Sequence, residues 1–212
     1  IMDYVTFKNL ANPSRNGWEL TGAITFYESD VKITNCQFKD NRSEDALNII
    51  RSGFEIDQSY FSGSYSDAID CDFSKGTIST SNFVTCANDA VDVSGSTINL
   101  NDIQIDGVGD KGMSVGEGST MKARRIRVEN ADIAVASKDS SNVIIEDIAI
   151  KSSRIGFAAF QKKSEFGPSS IKILRLDTDM VETPFLIEGG SSIIEDGKHV
   201  KSNSENVKDM LY

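Results

Sequence analysis

Asp45-Ala46-Leu47-Asn48-Ile49, Asp67-Ala68-Ile69-Asp70-Cys71 and Asp89-Ala90-Val91-Asp92-Val93 are one five-residue phrase written three times, at steps of 22 residues. One step further, Lys111-Gly112-Met113-Ser114-Val115 keeps the apolar frame and changes the polar residues. A second marker runs through Phe7, Phe38, Phe61, Phe83, Ile105, Val128, Ile150 and Leu176, at steps of 31, 23, 22, 22, 23, 22 and 26. Two residues ahead of it run Val5, Cys36, Ser59, Ser81, Ile103, Ile126, Ile148 and Leu174. Self-similarity at a fixed period of this length marks a stacked repeat.

The content of the unit decides its type. Apolar residues alternate over short stretches, as in Ile69/Cys71, Val91/Val93 and Met113/Val115. Turns of small residues such as Lys75-Gly76-Thr77-Ile78 and Gly118-Ser119-Thr120-Met121 separate them. Period two broken by such turns reads as strand. A helical solenoid needs two segments of about ten residues or more per repeat, which 22 residues cannot hold, and the LxxLxLxxN pattern of leucine-rich repeats is missing. The chain is therefore read as all-β: a single-stranded parallel β-helix of about eight coils, each with two or three short strands. At an inter-strand spacing of about 4.8 Å its length is roughly 40 Å. The solenoid is assigned to residues 1–200 and a C-terminal tail or cap to 201–212, with insertions at 9–20 and 161–168.

Composition prunes the chemistry. The 212 residues fit one large all-β domain. With 32 acidic and 22 basic residues the net charge is −10, which argues against a sequence-independent grip on nucleic acid. No apolar run reaches the roughly 20 residues of a transmembrane segment, and no leader pattern is visible. The opening Ile1-Met2-Asp3-Tyr4-Val5 reads as mid-strand, so part of a longer polypeptide is expected. A single histidine, His199, excludes HExxH zinc and two-histidine iron sites. Three cysteines with no CxxC spacing fit neither a zinc knuckle nor a disulfide framework. Cys36 and Cys71 fall in inward columns; Cys86 falls nearer a turn and is expected to react sooner.

On this repeat the chain resembles the pectate-lyase-like superfamily of right-handed parallel β-helices, including its carbohydrate-binding and sugar-hydrolase repeats. The resemblance, with the usual hand of parallel crossovers, implies a right-handed coil. It also implies a secreted or cell-surface location, here expected to be bacterial, and a polysaccharide or cell-surface glycan as partner. The Asn-Thr-Asp, Asp-Asp, Gly-His-Gly and Arg-Ile-Lys motifs of the polygalacturonase branch do not occur.

Two acidic columns exceed what a scaffold needs. One is Asp45, Asp67, Asp89 and then Lys111; the other, three residues on, is Asn48, Asp70, Asp92 and Ser114, with Asp72 beside Asp70. Carboxylates roughly 5 Å apart repel by on the order of 3 kcal/mol at an effective dielectric near 20. A cation, a proton or a hydrogen-bond donor must compensate. Ca²⁺ on Asp67, Asp70, Asp89 and Asp92 is one solution, and a raised pKa fit for general acid catalysis is another. Turn capping to backbone N–H groups is a third for the Asp45 column. It suits Asp70 and Asp92 less, because aspartate is disfavoured in mid-strand. A hydrolase would use Asp70 and Asp92 as acid and base; a Ca²⁺-assisted lyase would use Lys111 or Lys138 to take the proton.

Ser114, Glu117, Asp139, Lys162 and Lys163 continue the same face, and Trp18 in the first insertion offers a sugar platform. Small residues Gly116, Ala134, Ala136, Gly156 and Ala158 shape a shallow groove, or a seat for the segment after Leu186. The phenylalanines are read as core. Lys122, Arg124, Arg125 and Arg127 are read as parts of charge ladders, Asp102/Arg125/Asp147 and Asn101/Arg124/Glu146/Lys172. The expected function is polysaccharide-directed and extracellular, with binding preferred over cleavage. The alternative is a non-catalytic structural or surface-attachment module.

Overall fold

The computed structural model describes residues 1–212, and the chain winds as a parallel solenoid with three strands to the coil. The first face stacks Thr25–Tyr27, Asp45–Ile50, Asp67–Asp72 and Val91–Ser94, then residues 111–115, 133–138, 155–159 and 183–187 of longer strands. The second face begins with Met2–Asp3, Val31–Thr34 and Gly53–Asp57, and the third with Thr6–Lys8, Gln37–Lys39 and Tyr60–Ser62. Every pairing within the three faces is parallel. Antiparallel pairing is confined to the hairpin of Ser14–Arg15 with Trp18–Glu19 and to the end, where Ser192–Glu195 pairs with Lys198–Val200. The four-residue helix Lys208–Leu211 is the only helix, so no helix is long and apolar enough to cross a membrane.

The coil bends because single residues leave the extended region. Where the first face meets the second, Glu28, Arg51, Phe73, Gly95, Glu117 and Asp139 all have φ between 47° and 61°. For the non-glycine members this left-handed geometry costs roughly 1–2 kcal/mol each. Stacking offsets that cost, because a serine one residue on, or two after Glu117 and Asp139, repeats a hydrogen-bonded ladder. The amides of Ser52, Ser74, Ser96 and Ser119 donate to the hydroxyls of Ser74, Ser96, Ser119 and Ser141 at 2.9–3.1 Å. The hydroxyls of Ser74 and Ser96 donate back to the carbonyls of Asp72 and Ser94 at 2.9 Å. A buried corner amide is thereby satisfied without an ordered water. This serine column, continuing to Ser169 and Ser191, is missed when its members are read only as turn punctuation.

Alternation puts one apolar set inside. Phe7, Phe38, Phe61 and Phe83 stack with centroids 5.1, 4.4 and 4.9 Å apart, as the marker column requires. Cys36 shares its column with Ser59 and Ser81 as expected, its amide donating to Ser59 Oγ at 3.2 Å. All three cysteines are free and buried. Cys86 is as enclosed as the other two, at 2% exposure, and burial pushes its thiol up to about 12, so its expected greater reactivity has no basis in the fold.

One marker assignment is corrected. Ile148 pairs with Leu176 and Ile150 with Thr178, so the coil carrying the second insertion is 28 residues long rather than 26. A slip of two residues preserves inward and outward parity, and alternation cannot detect it. Leu174 is accordingly exposed, and Lys172 pairs with Ile144, outside the Glu146 column. The charge ladders otherwise form. Arg125 grips Asp102 with two nitrogens, Arg175 reaches Asp147 at 3.2 Å, and Arg124 lies 3.9 Å from Glu146. These pairs are exposed and worth little individually.

Candidate functional site

The first face carries both acidic columns, and its strands set their roles. Asp45, Asp67 and Asp89 stand at the entering edge, each less than a tenth exposed. Asp67 Oδ1 accepts the amide of Asp89 at 2.9 Å, and Asp89 Oδ1 accepts the amide of Lys111 at 2.9 Å. Asn88 Nδ2 adds a second bond to Asp67 at 2.7 Å. Asp67 and Asp89 thus satisfy the next coil's backbone, as the turn-capping account requires, whereas the Asp67 amide goes to the Glu44 carbonyl at 2.8 Å and Asp45 accepts from the Asn48 side chain. The column closes on Lys111, whose ammonium contacts Asp110 and lies 3.6 Å from Asp89 with 3% of its side chain exposed.

The second column is built differently. Asn48, Asp70, Asp92 and Ser114 are in direct register at mid-strand, pointing away from the core. Asn48 Nδ2 donates to Asp45 and to Asp70 Oδ2, each at 3.0 Å. Three polar atoms of this one column, Asn48 Oδ1, Asp92 Oδ1 and Ser114 Oγ, are buried with no hydrogen-bond partner. Lys138 Nζ lies 3.9 Å from Asp92 Oδ1, an ion pair longer than a hydrogen bond. Unpartnered buried polar atoms are uncommon; with Thr25 Oγ1, in register with Asn48, four lie along this line, and Asn41 Nδ2 and Ser64 Oγ lie off it.

Electrostatics assign protons. Burial, reinforced by Asp72, Asp45 and Asp92, pushes Asp70 up to about 9, so it holds a proton at neutral pH. Burial and then Asp89 raise Asp67 to about 7. Burial raises Asp89 to about 6, with Lys111 opposing. Burial works against the charge on both lysines, yet Asp89 holds Lys111 and Asp92 holds Lys138 above the ordinary lysine value. Both are thereby held in the charged form, which works against the proton-abstracting role expected of Lys111 or Lys138. A protonated Asp70 beside Asp92 fits a donor next to an acceptor.

The window is short because both ends are covered. At one end Asn48 Nδ2 reaches Thr21 Oγ1 at 3.3 Å, and Gly22 passes so close that a Cβ there would stand 2.7 Å from the Asn48 Cβ. At the other end residues 203–212 fold back along the face. Val207 is fully buried among Ile133, Ala136, Ile155, Ala158, Phe160 and Leu186, with Leu211 against them. The small outward residues therefore seat this segment, one of the two uses expected of them. Between the covers Asp70, Asp72, Asp92 and Ser94 remain partly open.

The other expected binding residues divide. Asp139 Oδ1 accepts the amides of Lys162 and Lys163 at 2.7 Å, so it anchors the second insertion. Glu117 and Lys163 pair across the rim. Lys162 sits 4.0 Å from the Tyr212 ring centroid. Trp18 is exposed on its hairpin and makes none of the polar contacts of the cluster. Tyr212, Val207 and Leu211 escape sequence reading because they lie outside the period. The unpartnered state of Asn48 and Ser114 escapes it because it depends on what covers them.

No group of three or more histidine, cysteine, aspartate or glutamate side chains converges to hold a metal. Asp67 and Asp89 each engage an amide through Oδ1 and stand in a different column from Asp70 and Asp92, so the four carboxylates expected to hold Ca²⁺ do not form one cluster. Two larger hollows lie elsewhere. One of about 540 Å³ runs over Asp102, Arg125, Arg127, Asp147 and Arg175, whose charges largely neutralise one another. One of about 610 Å³ lies between residues 161–165 and Glu188, Glu205 and Lys208. Neither contains the unpartnered column. A family model described as right-handed beta helix region matches residues 21–170. Neither the curated proteins nor the solved structures return a match to the chain.

Proposed function

The chain belongs to the right-handed β-helix family, and on that premise we propose that its first face binds a neutral or amino-sugar glycan at the Asp70–Asp92 window. The observation that carries this reading is the line of unpartnered polar atoms at Asn48, Asp92 and Ser114 beside a neighbouring column whose carboxylates are engaged. Sugar hydroxyls donate and accept together. They would meet a protonated Asp70 as donor and Asp92 as acceptor, with Lys138 holding the latter's charge. Asp45, Asp67, Asp70, Asp72, Asp89 and Asp92 face Lys111 and Lys138, with Lys163 at the rim paired to Glu117, so acids outnumber bases, a uronate polymer would be repelled and an ammonium-bearing sugar favoured. A secreted or cell-surface setting, within a longer polypeptide, accords with such a ligand.

A cleavage reading has one specific support. Asp70 and Asp92 are adjacent in register, and burial keeps the first protonated. Asp70 would protonate the glycosidic oxygen while Asp92 attacks the anomeric carbon, the division of labour of a retaining glycosidase.

Calorimetric titration with neutral, N-acetylated, free amino and uronic oligosaccharides tests the proposal. Neutral or amino sugars should bind, uronates should not, and Asp92→Asn should weaken binding at least tenfold. Absence of binding by every class, which the structural-module alternative expects, would overturn it. A reducing-end assay on the bound class separates cleavage from binding, since Asp70→Asn and Asp92→Asn should each abolish turnover.

A further inference from the structure

Residues 203–212 cross the first face where its polar column stops, and their contacts explain why they stay there. Val207 fills the apolar half of the face with no exposed surface. Its amide donates to Glu188 Oε1 at 3.1 Å, while Glu188 Oε2 accepts the amide of Gln161 at 2.7 Å, so one carboxylate ties this segment to the insertion at its side. Asn203 adds two bonds, accepting from the Ile187 amide at 2.8 Å and donating to the Phe185 carbonyl at 2.9 Å. Tyr212 then lies between Lys162, 4.0 Å from its ring centroid, and Lys111, 5.2 Å away on the opposite edge. The ring thus sits over the first face between Lys111 and the residues that follow Phe160, whose ring centroid is 6.5 Å away. Beyond it the polar column gives way to Ala136, Ala158 and Leu186.

We infer that residues 203–212, ending in the Tyr212 ring, form the end wall of the ligand face and make Tyr212 the residue that sets how long a glycan the face takes. This rests on the glycan reading above. Asn48 and Ser114 are themselves covered, so the open column runs from Asp70 to Asp92, one coil step or about 5 Å at the inter-strand spacing. A pyranose unit is comparable in length with one coil rise, so about one or two units contact the window before the chain meets the ring. The face thus selects a short oligosaccharide or the end of a polymer, and Lys111 and Lys162 hold the stop in place by cation–π contact.

The test is affinity against oligosaccharide length, using the sugar class that binds, for the full chain and two variants. Val207→Asp places a carboxylate in the apolar cluster and should release the wall, which limited proteolysis within residues 201–212 reports. Tyr212→Ala removes only the half-exposed ring and should leave the fold intact. In the wild type a hexasaccharide should bind no more than about twofold tighter than a tetrasaccharide. In Val207→Asp the ratio should rise about tenfold, and in Tyr212→Ala about threefold. A wild-type ratio already near ten, or equal ratios in all three proteins, would overturn the wall while leaving the glycan reading standing. Failure of every oligosaccharide to bind any of the three would overturn both.

Discussion

The two acidic columns of the first face are three residues apart, share one period and carry the same side chain, yet their oxygens do different things. Asp67 and Asp89 end on amides of the following coil and serve as rungs of the scaffold. Asp70 and Asp92 stand at mid-strand, where the backbone is already paired, and their column keeps unpartnered atoms. The difference teaches that in a solenoid a repeated polar residue is left without backbone duty when its column lies away from the corners. At a corner the backbone has orphan amides to offer; in the middle of a strand it has none.

Asp89→Ala should cost most. It removes the acceptor of the Lys111 amide and one counter-ion of a buried ammonium, and breaking a buried pair costs about 3–5 kcal/mol. Urea unfolding should show that loss, and a fall below about 1 kcal/mol would erase the contrast between columns. Asp67→Ala should cost less, about 1–3 kcal/mol, the penalty for one orphaned amide and a lost bond from Asn88. Asp67→Asn should recover part of it, since an amide oxygen still accepts.

The pH dependence of stability sharpens the comparison further. Asp70 and Asp67 have folded values of about 9 and about 7 against an ordinary value of 3.8, so the folded chain binds protons that the unfolded chain releases. Their contribution is complete below about pH 4 and is lost as pH rises, through about 7 for Asp67 and about 9 for Asp70. The slope is at most about 1.4 kcal/mol per pH unit for each group. Asp70→Asn should be close to neutral at pH 4 and more stable than wild type above pH 7, with a flatter profile from 7 to 9 measured by thermal melts in stepped buffers. An unchanged slope would mean that Asp70 does not hold its proton. The smallest effect is expected from Asp102→Asn on the exposed charge ladder, which removes the charge but keeps a side chain that tolerates the left-handed backbone there, and the melting temperature should not move measurably.

Much of this was legible in the sequence because the 22-residue step fixes register by itself. The phenylalanine stack, the inward cysteines and the membership of both acidic columns follow from that step alone. What was not legible has physical reasons. The Leu176 column was misplaced by two residues because parity survives such a slip and the corner at Arg175 has no sequence mark. The Ser52 to Ser191 ladder looked like turn composition, although its own steps of 22, 22, 23, 22, 28 and 22 would have revealed it. The duties of Asp67 and Asp70 diverge through corner placement, which depends on the bend before the strand, where Gly63 and Thr85 have positive φ, rather than on the aspartates. Val207 and Tyr212 belong to no repeat, so nothing local announces where they pack.

The most direct measurement is a crystal structure of the protein soaked with a trisaccharide of the neutral or amino-sugar class. The account expects ligand density along the first face, with hydroxyls within hydrogen-bond distance of both Asp70 and Asp92 and the chain stopping short of Tyr212. Ligand ordered instead over Arg125 and Arg175, with the first face bare and Asn48, Asp92 and Ser114 satisfied by one another or by water, would contradict it.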